Sequence, residues 1–224
     1  MAGEPSAGEI AATFSIVAID PPTGQCGAAV ASKYPAVGKA VPFVRGGVGA
    51  FCTQHYLVTE WGPRALDLLE ADETPEAVIT QLLADDRCPE QRQLAVIDMR
   101  GRTAVHHPTA APESSRYWAA MSGRNYACQG NTLAGRDVIT AIAAAFEDTH
   151  GSLADRLMAA LVAGDRAGGD HRGRLAAGIR VAKTGVEGDW LTLDVDASDD
   201  AVEELLKAYR ELEHAAKGAW VGEP

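Results

Sequence analysis

Thr13 opens the first strand-like run of the chain, Thr13-Phe14-Ser15-Ile16-Val17-Ala18-Ile19-Asp20, and Lys33 closes the next, Gln25 to Lys33. A threonine hydroxyl is a weak nucleophile by itself. A free α-amine on the same residue, with a pKa of about 8, can take its proton near neutral pH. A hairpin returns the end of its second strand to the start of its first. The spacing therefore lets the Lys33 ammonium reach Thr13 and lower the pKa of that amine. Asp20 sits at the far turn and reads as a turn-former. Ser15 and Ser32 are weaker neighbours of Thr13. The plain alternatives are a β-branched residue starting a strand and a solvated lysine. Met1 to Ala12 precede Thr13, so its amine is free only if the chain is cut after Ala12.

Three further clusters carry polar groups. Asp165, Asp170, Arg172 and Arg174 lie within a run threaded by Gly164, Gly168, Gly169 and Gly173. Glycines let backbone approach a ligand, a guanidinium holds a carboxylate through two bonds, and a carboxylate holds an ammonium. The alternative is a tight turn held by internal Asp–Arg pairs. Gln129, Asn131 and Thr132 leave a strand; an Asn131 amide is suited to an oxyanion or to capping a turn. Thr53, Gln54 and His55 leave another strand, where Thr53 and Gln54 could line a pocket. His106, His107 and His150 lack a metal-ligand partner at useful spacing. Neither a phosphate-binding glycine motif nor a Gly-x-Ser-x-Gly elbow is present. The expectation is no metal and no cofactor.

Bulk properties narrow the partners. A net charge of −11 opposes binding to nucleic acid or to an anionic membrane surface. No apolar run spans a membrane, and residues 1–12 read as a flexible tail rather than a secretory signal. These features predict a cytoplasmic protein acting on a small molecule. The cysteines Cys26, Cys52, Cys88 and Cys128 form no zinc-like spacing. Three lie in apolar strands and read as buried thiols; Cys88, beside Pro89, reads as a loop residue.

The elements needed to position these groups follow from periodicity. Strands are predicted at 13–20 and 25–33, at 41–44 and 47–53, at 91–98 and 102–106, and around 126–131, 174–183 and 189–195. Helices are predicted on the face of Leu57, Trp61, Ala65, Leu68 and Leu69, at 75–85 behind a Thr74 cap, and at 135–147, 152–163 and 199–216, with a loop-and-helix stretch at 112–122. Segregated strand and helix runs indicate α+β with antiparallel sheets. No linker or repeat divides the chain, so residues 13–217 read as one domain, flanked by tails at 1–12 and 218–224. Exposed apolar edges make a homodimer plausible.

Several motifs together resemble the Ntn-hydrolase-like family known as domain of unknown function 1028. They are Thr13-Phe14-Ser15-Ile16-Val17-Ala18, Ala31-Ser32-Lys33 with Ala36-Val37-Gly38, Gly47-Val48-Gly49-Ala50 leading to Thr53-Gln54, Gly62-Pro63-Arg64, Gln129 through Gly135, and Gly164-Asp165 through Gly168 to Arg174. The resemblance runs from Thr13 to about Val195 and implies a four-layer αββα sandwich, two antiparallel sheets between helical layers. It supplies no substrate. In the family pattern Met directly precedes the Thr-Phe-Ser run, so loss of one residue exposes the threonine; here twelve residues intervene.

The resulting expectation is an amidohydrolase of the N-terminal-nucleophile (Ntn) type. Thr13 attacks an amide or related acyl carbon, Lys33 tunes the amine, Asn131 holds the oxyanion, and Thr53, Gln54, Asp165, Asp170, Arg172 and Arg174 orient a small polar substrate. The rival is a non-catalytic ligand-binding or assembly protein on the same fold. A third reading keeps the pocket and uses water as nucleophile.

Overall fold

A computed structural model describes residues 13–109 and 113–219. The tail expected at 1–12, and residues 220–224, lie outside the described residues.

The first hairpin joins β1 (Thr13–Asp20) to β2 (Gln25–Ser32) in full register, with Thr13 opposite Ser32. Pro21–Thr23 form a single 3-10 turn between them, and the Thr23 hydroxyl donates to the Asp20 carboxylate at 2.6 Å. Asp20 is thus the turn-former its position suggests. One turn of helix, α1 (Val37–Ala40), leads to a second hairpin of β3 (Pro42–Arg45) and β4 (Gly49–His55). Then come α2 (Trp61–Glu70) and α3 (Pro75–Leu83), the latter capped by Thr74 with proline in its first position. Proline is tolerated there because that N–H has no partner within the helix.

Next follow β5 (Arg92–Asp98), β6 (Thr103–His106), β7 (Tyr117–Gly123) and β8 (Tyr126–Leu133). The remaining elements are α4 (Asp137–Asp148), α5 (Leu153–Arg166), β9 (Ala176–Lys183), β10 (Asp189–Val195) and α6 (Ala201–Ala219).

Three differences from the sequence reading bear on the architecture. The stretch 112–122 is not loop and helix: only Glu113–Ser115 make a 3-10 turn, and residues from Tyr117 form a strand on β8. Ala119, Ala120 and Met121 favour a helix in isolation, but pairing with β8 overrides that preference. The helix expected from Leu57 starts at Trp61. The last helix continues to Ala219, through the expected domain end.

Two antiparallel sheets result, ordered β10-β9-β2-β1-β8-β7 and β3-β4-β5-β6. Helices α4, α5 and α6 cover the outer face of the large sheet, and α2 and α3 the outer face of the small one. This is the four-layer αββα sandwich. Alternation assigns the faces. In β1, Phe14, Ile16 and Ala18 meet the helices, while Val17 and Ile19 meet the other sheet with Cys26, Ala28, Val30, Ala50, Cys52, Ala95 and Ile97. Each fully buried Val or Ile contributes about 1.5–3 kcal/mol, so this layer is a main source of cohesion. The same inward positions turn polar at the opposite end of the strands. There they carry Thr13, Ser15, Ser32, Gln54, Gln93, Gln129 and Asn131, all buried.

The apolar end closes with backbone against backbone. A β-carbon on Gly46, in the β3–β4 turn, would lie 2.2 Å from the Lys183 carbonyl oxygen at the end of β9. Gly46→Ala is therefore expected to destabilise the fold by about 1–3 kcal/mol. Urea unfolding will show this as a lower midpoint at unchanged slope.

Candidate active site

Thr13 stands at the polar end of the inter-sheet layer, fully buried. Its hydroxyl donates to Ser32 Oγ at 3.2 Å, and that oxygen also accepts from the Tyr34 N–H at 2.8 Å. The Thr13 carbonyl accepts from Gln54 Nε2 at 3.1 Å. From there a chain of side chains crosses between the sheets. Gln54 Nε2 also donates to Gln93 Oε1 (2.8 Å), and Gln54 Oε1 accepts from Ser15 Oγ (2.6 Å). Gln93 Oε1 accepts a second bond from Asn131 Nδ2 (2.9 Å), while Gln93 Nε2 donates to the Gly130 carbonyl (3.0 Å). Asn131 Oδ1 accepts from the Thr132 hydroxyl at 2.8 Å. One oxygen receiving two amide N–H bonds fixes which way each carboxamide points.

The seven inward polar side chains are all uncharged. The nearby thiols do not add a nucleophile. Burial pushes Cys52, which borders Ser15, up to about 12, and Cys128 likewise to about 12. A thiol in that range stays protonated and unreactive.

A second layer of the site is the glycine-rich loop after α5. β1 lies between β2 and β8, and this loop ties the ends of both flanking strands. The Asp170 carboxylate accepts the Lys33 N–H at 3.4 Å, at the end of β2. The His171 N–H donates to the Thr132 carbonyl at 3.0 Å, at the end of β8. The loop therefore crosses the start of β1. Gly169, at φ 47°, passes over the Phe14 ring, where a β-carbon would lie 2.9 Å from the ring edge. Only glycine satisfies both the left-handed backbone and that approach. Thr132 itself has φ 57°, an outlying conformation for a β-branched residue of the kind that clusters at functional sites.

The two carboxylates of this segment are paired with its own arginines. Asp170, with its side chain 1% exposed, holds Arg172 through the backbone N–H (2.9 Å) and the guanidinium (3.1 Å). Asp165 pairs with Arg174 at 3.1 Å, and burial raises its pKa against the pull of that guanidinium. Asp165 falls in the last turn of α5 rather than in the loop. The two carboxylates thus anchor the loop, and the outer ends of Arg172, Arg174 and Lys33 face partly into solvent.

Of the residues singled out by sequence, the structure brings Thr13, Gln54 and Asn131 into one network. Thr53 is one residue out of phase: it faces the α2 side, where its hydroxyl accepts the Val58 N–H at 3.2 Å. Lys33 does not take the position beside the Thr13 hydroxyl; Ser32 does. Ser32 lies directly opposite Thr13 and shares its face, and the Lys33 ammonium extends to Asp199 at 3.8 Å. Gln93, the hub of the network, went unseen. A signal existed: it shares the alternation of Ala95 and Ile97, so a polar residue there must point inward.

His55 clips the same end of the molecule. Its Nδ1 lies 2.7 Å from the Gln91 carbonyl, which can only accept, so Nδ1 carries the proton. Nε2 then accepts from the Ser115 hydroxyl at 2.9 Å. Burial lowers the His55 pKa below its ordinary 6.5, with a smaller contribution from Arg92. His107, whose Nδ1 is 3.5 Å from Gln93 Nε2, is also lowered by burial. Arg92 supports the clip: it donates to the Tyr56 carbonyl (2.5 Å), stacks over the Trp61 ring and pairs with Asp86, whose carboxyl it holds below the usual range.

The sequence matches a family of unknown function (DUF1028) over residues 13–205. The chain belongs to that family. Among solved structures, protein SPO2555 from Silicibacter pomeroyi, a crystal structure of a DUF1028 protein, is similar at 28% identity with a TM-score of 0.80. The alignment covers 89% of this chain and 88% of that one. No curated protein matches the chain. The DUF1028 match begins at Thr13, the residue whose side chain and carbonyl are both engaged at the polar end. Among the described residues, no group of three or more metal-ligating side chains is assembled, and no helix is long and apolar enough to cross a membrane.

Two outcomes are expected. Gln93→Leu leaves Gln54, Asn131 and the Gly130 carbonyl each short of a buried partner and is expected to cost about 2–4 kcal/mol, read from urea denaturation. The second concerns pH. The fold favours neutral His55 and His107, so their contribution is complete above 6.5, the ordinary histidine value, and is lost as pH falls below it towards the folded pKa. Asn keeps the positive φ of His55. His55→Asn is thus expected to make the acid limb of a Tm-versus-pH curve shallower than in the parent.

Proposed function

We propose that the protein is an amidohydrolase of Ntn type whose nucleophile is Thr13 after cleavage of the Ala12–Thr13 bond. The observation that carries this reading is the Thr13 hydroxyl, buried in a hydrogen bond to Ser32 Oγ while Gln54 clamps its carbonyl. In the uncut chain its nitrogen is an amide and cannot act as base. The cut follows from the same hydroxyl. Thr13 Oγ bonds to the Ala12 carbonyl carbon, the C–N bond breaks, and the proton passes to the nitrogen. Water then hydrolyses the ester, leaving a free amine and a free hydroxyl.

In the mature site that amine takes the hydroxyl proton as Oγ attacks the substrate acyl carbon. Ser32 orients the hydroxyl. Asn131 uses one N–H on Gln93, and its second N–H is the candidate oxyanion donor. The partly exposed Arg172, Arg174 and Lys33 suit a small substrate bearing a carboxylate, with Asp165 and Asp170 as positioning groups. A non-catalytic binding protein is the second reading. It is favoured by the acylated nitrogen and by the complete burial of Thr13.

The test compares the full chain with a chain beginning Met-Thr13, from which an aminopeptidase leaves Thr13 first. A β-lactone probe is expected to acylate Thr13 in the shorter chain, seen by intact mass. Thr13→Ala should lower labelling by about a thousandfold or more. On long incubation the full chain should shorten to a species starting at Thr13. Equal labelling of Thr13→Ala, or no labelling of either chain, overturns the hydrolase reading. Stabilisation by small amides without turnover would then support binding.

A further inference from the structure

The two sheets have four edges, and three are blunted against pairing. β3 has four residues, begins with Pro42 and ends on Arg45, which is tied to Asp67 and Glu70 on α2. β6 also has four residues. β10 carries Asp189 and Asp194 and a register shift between Asp189 and Leu191. Short strands, proline, charge and bulges are the usual devices that keep an edge from pairing. β7 is different. It has seven residues, Tyr-Trp-Ala-Ala-Met-Ser-Gly, with neither a charge nor a proline. Its one irregularity, between Tyr117 and Ala119, leaves Ala119–Gly123 regular. Its outer backbone groups have no partner among the described residues, and Met121 is 39% exposed.

Charge selects the occupant. Two chains of net charge −11 repel unless they meet where carboxylates are absent or matched by cations. Helix α4 packs over β7, exposes Thr140 and Ala144 in its middle, and carries Arg136 and Asp137 at one end and Glu147 and Asp148 at the other. A two-fold axis normal to the sheet sets two copies of β7 antiparallel and keeps both α4 helices on one face, also antiparallel. The paired strands themselves carry no carboxylate, and Arg136, with Asp137 beside it, lies toward the carboxylate end of its mate. We infer that two copies of this chain pair β7 with β7 about a two-fold axis at Met121, joining their large sheets into one. The contact is isologous and closed, so it stops at a dimer. The strand is about 23 Å long and the sheet-plus-helix face about 20 Å deep.

Light scattering behind size exclusion is expected to give twice the 23.5 kDa chain mass. Met121→Lys places two like charges on the axis and should weaken the dimer by about a hundredfold, while Trp190→Lys on β10 should not. A cysteine test does not depend on that variant's folding. In a Cys88→Ser background, Met121→Cys is expected to form a disulfide-linked dimer under mild oxidation, and Trp190→Cys is not. A monomer throughout the micromolar range, or a dimer that Trp190→Cys links and Met121→Cys does not, overturns the proposal. The monomer result would point to a strand from another protein as the partner of β7.

Discussion

The fold depends on one costly arrangement: seven uncharged polar side chains are buried between two sheets, and their amides are satisfied chiefly by one another. Each buried amide left without a partner costs about 1–3 kcal/mol, so the network is stable only when nearly complete. It is also directional. Gln93 on the small sheet receives bonds from Gln54 on its own sheet and Asn131 on the large one, and returns one to Gly130. Sliding one sheet against the other breaks several bonds at once. Apolar packing at the opposite end supplies cohesion but little directionality; the polar end fixes how the two sheets face each other.

That constraint explains the surroundings of Thr13. A strand start is normally a place where chain order fades. Here the start of β1 is held from three sides: by Ser32 across the hairpin, by Gln54 from the other sheet, and by the glycine loop over Phe14. The loop is itself anchored by Asp170, whose carboxylate reaches both the end of β2 and Arg172. Charge is kept out of the inter-sheet layer and placed around it. Ser32, the hydroxyl's partner across the hairpin, is itself uncharged, and the proposed chemistry therefore calls on the α-amine as base.

The order of strands follows from the same economy of contacts. β1 is central, between β2 and β8, so the residue opening it is sheltered by both neighbours. β7 extends that sheet by one strand and leaves an uncharged edge, whereas the edges of the small sheet are short. Among the described residues the large sheet thus combines a protected centre with one uncharged edge strand.

Much of this architecture is legible in the chain. Hydrophobic alternation marked nine of the ten strands, the Thr74-Pro75 start marked α3, and segregated strand and helix runs gave the α+β class, because these signals are local and depend on periods of two and 3.6 residues. The family motifs pointed to the sandwich and to Thr13. β7 was hidden because its alanines and methionine prefer a helix until β8 offers a partner. Which polar groups meet was decided only by the tertiary structure. Thr13, Gln54, Gln93 and Asn131 are dozens of residues apart and converge because two sheets stack. Ser32 rather than Lys33 reaches the Thr13 hydroxyl because alternation places adjacent residues on opposite faces. The charged loop was visible as a cluster, but the pairing of Asp165 with Arg174 and Asp170 with Arg172 required the fold. Sequence determines which face each side chain takes; only packing decides what stands opposite.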